Sequence, residues 1–255
     1  MIDLERMAEI VDDAARSATT IPQFSEERAL TVAEGYEIQK LSMHRRYARG
    51  DRRIGIKMGF TSRAKQLQMG LDDLIWGRLT ETMRVAEGSS VSMAQYVHPR
   101  VEPEIAYLIK HRVAGNVSAL EAINAVAGIA CAMEVIDSRY ADFKFDVGDV
   151  LADNTSAAGF VIGNWHAPDT DVTNLGLVLS INGRPRQIGS TAAILGNPAR
   201  ALVAAIRMAA EVGEPLEPGD IVLAGAATAA VELAAGDHVE AQFETLGSIG
   251  FTIVD

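Results

Sequence analysis

The chain has 255 residues, 48% hydrophobic and 22% charged, with a formal net charge of −11. That length can bury one large core, or a core with a small lobe, and the acid excess argues against a nucleic-acid ligand. No apolar run approaches a membrane span, the acidic amphipathic start "MIDLERMAEIVDDAARSA" is unlike a targeting peptide, and a single cysteine, Cys131, excludes a disulfide framework and points to the cytoplasm.

Apolar residues recur at helical spacing over residues 2–18 and 25–49. Ser25 is the expected N-cap of the second helix, with Glu26 and Glu27 in its positive first turn. The basic stretch "HRRYARGDRR" at 44–53 reads as the solvated C-terminal end of that helix. "RRIGIKMGF" is a short strand, and "TSRAKQLQMG" a helix capped by Thr61 or Ser62 and stopped by Gly70.

From Arg84 onward the pattern turns to strands, expected at 101–110, 130–137, 156–162, 175–181, 221–224, 238–243 and 247–254. Asn182-Gly183 marks a type I′ hairpin, and "EPGD" at 217–220 a turn into a strand. Two helices interrupt: 118–129, where Ser118 and Glu121 form a capping box, and 197–212, with Pro198 in its first turn. No internal repeat appears. The expected fold class is α+β: a mainly helical lobe over 1–83 joined to a β-rich body over 84–255, as one integrated unit.

Within the strand "RVEPEIAYLIK", side chains alternate faces, so Glu102 and Glu104 point the same way. Pro103 has no N–H to give a ladder, which places this stretch near an edge or a strand end. In "ACAMEVIDSRY", Glu134 lies inside a second apolar strand, where an unpaired carboxylate costs several kcal/mol. Three carboxylates from two strands suit a hard divalent cation, Mg²⁺ or Mn²⁺. The plainer alternative is a pair of surface acids neutralised by nearby arginines.

Lys57 stands between Ile56 and Met58 in a short apolar strand. It could meet the acids, bind a substrate carboxylate, or act in proton transfer if its pKa is depressed; snorkelling to the surface is the plain alternative. Asp72 and Asp73 precede "LIW" and read as helix caps, or as acids on the rim of a pocket wall. Asn154, Thr155, Ser156 and Thr228 lie among small residues, which permit close packing or close approach of backbone amides to an anion. The five histidines have no metal-ligand spacing, His98 reads as a loop residue, and Cys131 as an inert buried thiol.

The segments "GIKMGFTSRAKQLQMG", "DDLIWGRLTETM", "YVHPRVEPEIAYLIK", "AMEVIDSRYADFKF" and "VLADNTSAAGFVIG" together resemble the hydratase/decarboxylase family of the fumarylacetoacetate hydrolase superfamily, over nearly the whole chain. The resemblance implies a mixed β-roll body with a helical N-terminal lobe, and Mg²⁺ or Mn²⁺ held by Glu102, Glu104 and Glu134. It implies Lys57 as the active-site lysine, with Asn154, Ser156 and Thr228 orienting a carboxylate. Leu74 to Trp76 would wall in a departing carboxylate, with Asp73 a weaker catalytic candidate beside it. The implied reaction is decarboxylation of 2-oxo-3-hexenedioate to 2-hydroxypenta-2,4-dienoate in aromatic meta-cleavage catabolism. Hydration of that dienoate is the alternative, and a C–C hydrolase using His98 near Glu102 a more distant one. The resemblance also implies a homo-oligomer that associates with a partner 2-hydroxypentadienoate hydratase.

Overall fold

A computed structural model describes residues 3–62, 67 and 70–255; the helix expected between Thr61 and Gly70 falls mostly outside them. The chain opens with two packed helices, α1 (Leu4–Ser17) and α2 (Val32–Ala48). The second starts at Thr31, not Ser25. Thr31 and Glu34 form a reciprocal capping box that satisfies orphan donors at both ends of the turn. Ser25 sits instead in a 3₁₀ turn, and its hydroxyl donates to Asp149 at 2.5 Å.

The basic stretch does not simply face water. Arg45 and Arg49 converge on Asp12 of α1, which is buried, with contacts from 2.5 to 3.1 Å. Arg46 holds Asp51 at 2.9 Å. Those charges pin the two helices to each other and to the chain that follows.

The β body contains β1 (Arg53–Gly59), β2 (Ile75–Thr80), β3 (Ser90–Ser92), β4 (Arg100–Ile109), β5 (Val126–Ile136) and β6 (Ala157–Ile162). It continues with β7 (Gly176–Ile181), β8 (Arg184–Ser190), β9 (Ile221–Leu223), β10 (Val231–Glu232), β11 (His238–Phe243) and β12 (Gly247–Val254). One sheet runs β2-β1-β9-β4-β5-β6, with β10 also on β4; the other runs β3-β12-β11-β7-β8. Both sheets are mixed: β1–β9 and β12–β3 are parallel pairs. Asn182 and Gly183 both have positive φ, 53° and 71°, as the I′ hairpin between β7 and β8 requires. Tyr107, Met133, Leu179 and Phe251 are buried together in a core shared by the two sheets.

The first 83 residues contribute β1 and β2 to the main sheet, and Gln39 of α2 donates to the Trp76 carbonyl of β2 and to the Leu151 carbonyl. Helix α3 (Ala119–Asn124) has the expected capping box but is shorter than its pattern suggests. Residues 126–129 go to β5, because pairing with β4 buries their β-branched side chains more fully than another helical turn would. Cys131 on β5 is fully buried, and burial pushes its thiol up to about 11, which leaves it inert. Helix α4 (Val147–Ala152) packs on α2, and α5 (Pro198–Glu211) begins at its predicted proline, with Asn197 as N-cap. Among the described residues no helix is long and apolar enough to cross a membrane.

The α2–α4 crossing is close. A Cβ on Gly35 would lie 2.7 Å from the Gly148 carbonyl oxygen and 2.8 Å from Leu151 Cβ. Gly35→Ala therefore forces the helices apart and should lower stability by about 1–3 kcal/mol. A shifted urea midpoint at constant slope is the expected reading; an unchanged midpoint would refute the crossing.

Candidate metal and substrate site

Strand β4 is central, not an edge. It pairs with β5 along its whole length, while its other neighbour is broken into β9, beside Ala106–Leu108, and β10, beside Arg100 and Val101. Pro103 occupies the gap. Its carbonyl accepts from Ala227 N–H at 2.9 Å, and the missing N–H points the same way, into the loop between β9 and β10. The proline is thus tolerated in mid-sheet because the adjoining strand is interrupted there.

Glu102 pairs across the ladder with Glu134, and Glu104 follows Glu102 on the same face of β4. One carboxylate oxygen from each of the three lies within 4.8 Å of the others. Glu104 and Glu134 are fully buried and Glu102 half-buried. Glu104 Oε2 accepts from Gly225 N–H at 2.7 Å. Glu104 Oε1 and Glu134 Oε1 are buried with no hydrogen-bond partner. Such orphaned acceptors among like charges are costly unless a cation completes them. Three carboxylate oxygens with room for further ligands fit Mg²⁺ or Mn²⁺.

Gly225 approaches at φ +102°, and a Cβ there would meet Thr61 Oγ1 at 2.3 Å. Only glycine lets this loop bring its amide to Glu104.

Lys57 reaches the cluster from β1, across the end of the short β9. Its Nζ lies 2.9 Å from Glu134 Oε2 and donates to the Thr155 carbonyl at 3.1 Å. Burial pushes its pKa down, but the charges of Glu134, Glu104 and Glu102 together push it further up, above the ordinary lysine value. With no ion among the acids, their charges thus favour Lys57 as an ammonium, a donor and a positive charge, over the depressed-pKa base the sequence left open. The carboxyls respond oppositely. Burial raises both Glu104 and Glu134, the Glu134 charge raises Glu104 further, and Lys57 offsets part of each shift.

The turn that receives Lys57 is unusual. Asn154, Thr155 and Ser156 have φ of 47°, 54° and 58°, three successive non-glycine residues in the left-handed region. Asn154 holds the turn by bonding both ways to the Arg78 backbone, at 2.8 and 2.9 Å. Thr155 Oγ1 donates to the Trp76 carbonyl at 2.8 Å, and Ser156 O accepts from Asp137 N–H at 2.8 Å. Ser156 Oγ is left buried and unpartnered.

A cavity of about 600 Å³ opens over these groups. Lys57, Glu102, Thr155, Ser156, Thr228 and Arg100, with Thr61 and Ser62, supply its polar lining, and Ile75, Ile136, Phe143, Phe145 and Val150 much of its apolar wall. The structure thus brings together Lys57, the three glutamates, Ser156 and Thr228. Four other candidates are placed elsewhere. The Asn154 side chain is consumed by the Arg78 backbone. Leu74 is buried in the core, and Ile75, whose side chain faces the other way, lines the cavity. Asp73 is exposed, accepts from Leu74 N–H, and forms an ion pair with Arg207 at 2.6 Å. His98 Nδ1 faces Asp137 at 3.6 Å, and its ring meets Phe143 edge-on, so no His98–Glu102 dyad forms. Gly225 and Arg100 were missed; for Arg100 the signal was available, since it precedes Glu102 by two residues on the same strand.

The Fumarylacetoacetate (FAA) hydrolase C-terminal profile matches residues 54–254. The chain belongs to the fumarylacetoacetate hydrolase family. Within it, the chain is 56% identical to a 4-oxalocrotonate decarboxylase of Pseudomonas sp, over 98% of this chain and 97% of that one. A 2-hydroxyhexa-2,4-dienoate hydratase of Comamonas testosteroni is 32% identical, over 98% and 97%. The structure of 4-oxalocrotonate decarboxylase from Pseudomonas putida G7, complexed with magnesium and adipate, superposes with a TM-score of 0.95 at 33% identity, covering 98% of this chain and 97% of that one.

A pH dependence follows from the raised carboxyls. Their folded pKa values lie above the unfolded ones, so the stability they contribute without metal is full at low pH and is lost as pH rises through the folded values. Metal needs the deprotonated forms. The rise in Tm on adding Mg²⁺ to metal-stripped protein should therefore grow as pH rises through the folded carboxyl values, read by scanning calorimetry over a pH series. No rise at any pH would show that these carboxyls do not bind the ion.

Proposed function

We propose that this chain is a metal-dependent carboxy-lyase that converts 2-oxo-3-hexenedioate to 2-hydroxypenta-2,4-dienoate and CO₂. The observation that carries the reading is the three-glutamate cluster, with orphaned buried oxygens, beside a fixed lysine ammonium at the cavity. Support also comes from the 56% identity to a 4-oxalocrotonate decarboxylase and from a solved relative that takes magnesium and a six-carbon dicarboxylate.

Loss of CO₂ requires the C5–C6 electron pair to form C4=C5, the C3=C4 pair to form C2=C3, and the C2 carbonyl pair to settle on oxygen. That oxygen then takes up one proton from solvent, which gives the dienol. Glu102, Glu104 and Glu134 would hold Mg²⁺ or Mn²⁺, which would supply Lewis acidity for the charge developing on the C2 oxygen. Lys57 adds a positive charge that needs no reorganisation, because Glu134 and Thr155 already fix its Nζ. Ser156 Oγ, buried and unpartnered, offers a donor to the C1 carboxylate, whereas Thr228 Oγ1 donates to the Ala229 carbonyl at 3.1 Å and must exchange that bond to do the same. Ile75, Ile136, Phe145 and Val150 exclude water from the conjugated chain, so the dienol forms without a water molecule placed to add to it.

Hydration is less favoured. It needs an acid to manage the proton of an added water, and Asp73 is occupied by Arg207 outside the cavity lining. The proposal includes a cytoplasmic, homo-oligomeric enzyme of meta-cleavage catabolism that associates with a 2-hydroxypentadienoate hydratase. The product supports that association: a dienol ketonises in water, and direct transfer would limit the loss.

Incubation with 2-oxo-3-hexenedioate and Mg²⁺ should release CO₂ stoichiometrically with substrate loss, whereas inertness toward this substrate rejects the reading. Glu102→Ala, Glu104→Ala and Glu134→Ala should each abolish metal-dependent turnover. Lys57→Met should lower kcat by about 10²–10³, the usual cost of one lost charge-stabilising donor, with Mg²⁺ still bound by calorimetry. Full turnover in any glutamate variant would remove that residue from the ligand set.

A further inference from the structure

We infer that Arg100 recognises the second carboxylate of the substrate and makes the site selective for dicarboxylates, an inference that rests on the decarboxylase reading of the cavity. Strand alternation puts Arg100, Glu102 and Glu104 on one face of β4, and Arg100 and Glu102 line the same cavity. An extended six-carbon chain spans roughly the 6–7 Å of two strand residues. A 2-oxo acid end placed among the glutamates and Lys57 therefore directs the far end along β4 toward Arg100. Among the described lining residues, Lys57 and Arg100 are the two permanent cations, one toward each end of that path. A dianion needs both.

The guanidinium is built for this contact. Its Cζ sits 4.0 Å above the Phe143 ring, which fixes its plane by cation–π attraction. Nη2 donates to Glu232 Oε1 at 2.9 Å, across the β4–β10 pair. Glu232 is 80% exposed, so this ion pair is screened by water and leaves guanidinium donors for a ligand. Arg100 itself is about one-third exposed, at the cavity mouth.

Decarboxylation also sets the character of the contact. The far carboxylate loses its charge as CO₂ departs, so a strong buried guanidinium bond would stabilise the ground state more than the transition state. A mouth position, shared with Glu232, gives recognition without that penalty. Arg100 therefore acts chiefly in binding, and its removal should raise KM with kcat reduced by no more than about threefold.

The test compares 2-oxohexanedioate with 2-oxohexanoate, which differ only in the far carboxylate, by calorimetric titration of the Mg²⁺-loaded protein. The wild type should bind the diacid at least tenfold more tightly. Arg100→Gln should bring the two within twofold, by weakening the diacid and leaving the monoacid unchanged. Glu232→Gln should keep the preference; if it loses the preference as Arg100→Gln does, Arg100 serves only to anchor β10 and the inference fails. Retained discrimination in Arg100→Gln, or equal weakening of both ligands, also overturns it. A wild type that discriminates but does not decarboxylate 2-oxo-3-hexenedioate would sink the enzymatic reading and leave dicarboxylate recognition by Arg100 standing.

Discussion

The structure depends on holding three carboxylates together inside a sheet that would otherwise expel them. Glu102 and Glu134 face each other across one ladder, with Glu104 a step along, and two of the three are fully buried. Like charges at this spacing repel, and burial removes the water that would screen them. Among the described residues, the Lys57 ammonium and the Gly225 backbone amide offset part of that cost. Glu104 Oε1 and Glu134 Oε1 are still left without a hydrogen-bond partner. The cluster's affinity for a divalent ion is thus the counterpart of its instability without one.

The local irregularities around the site follow from that constraint. Strand β1 could not bring Lys57 to Glu134 if β9 continued alongside β4, and β9 ends after three residues. The chain then leaves the sheet, presents Gly225 to Glu104, supplies Thr228 to the cavity, and returns as β10. Pro103 sits where this detour removes the need for a ladder donor. The left-handed turn at 154–156 answers a second requirement, a carbonyl aimed at the Lys57 ammonium from the opposite side. Asn154 and Thr155 hold it by fastening to the backbone of β2, and α4, docked on α2, leads straight into it. The helical pair thus contributes no cavity side chain, yet it fixes the segment that fixes the lysine.

Much of this was legible because it is local. Alternation along "VEPEIA" places Glu102 and Glu104 on one face, and an acid in mid-strand at Glu134 or a lysine in mid-strand at Lys57 contradicts burial strongly enough to be noticed. The I′ turn at Asn182-Gly183 and the start of α5 are set by residues next to one another. The misreadings share a different cause. Asn154 and Ser156 are two residues apart among small neighbours, and only the partner strand decides that one side chain is consumed and the other free. Asp73 looks like a pocket acid until Arg207, far along the chain, is brought beside it. Ser25 and Thr31 are both fair caps; the outcome is decided by Asp149 drawing Ser25 away and by Glu34 completing the box at Thr31. Choices made by distant partners leave no local trace.

The same geometry separates elimination of CO₂ from addition of water on a shared cluster of acids. Both reactions polarise a 2-oxo acid at the carboxylate cluster, so the glutamates and Lys57 cannot distinguish them. The distinction lies further along the substrate. Hydration needs a positioned water and a group to take its proton over the conjugated carbons, whereas decarboxylation needs that region dry, and its diacid substrate carries a second carboxylate beyond it to be recognised. Here that stretch is walled by Ile75, Ile136, Phe145 and Val150, Asp73 is held away by Arg207, and a guanidinium closes the far end above Phe143. Chemistry common to the superfamily is set by the sheet; the choice among its reactions is set by the residues that meet the other end of the ligand.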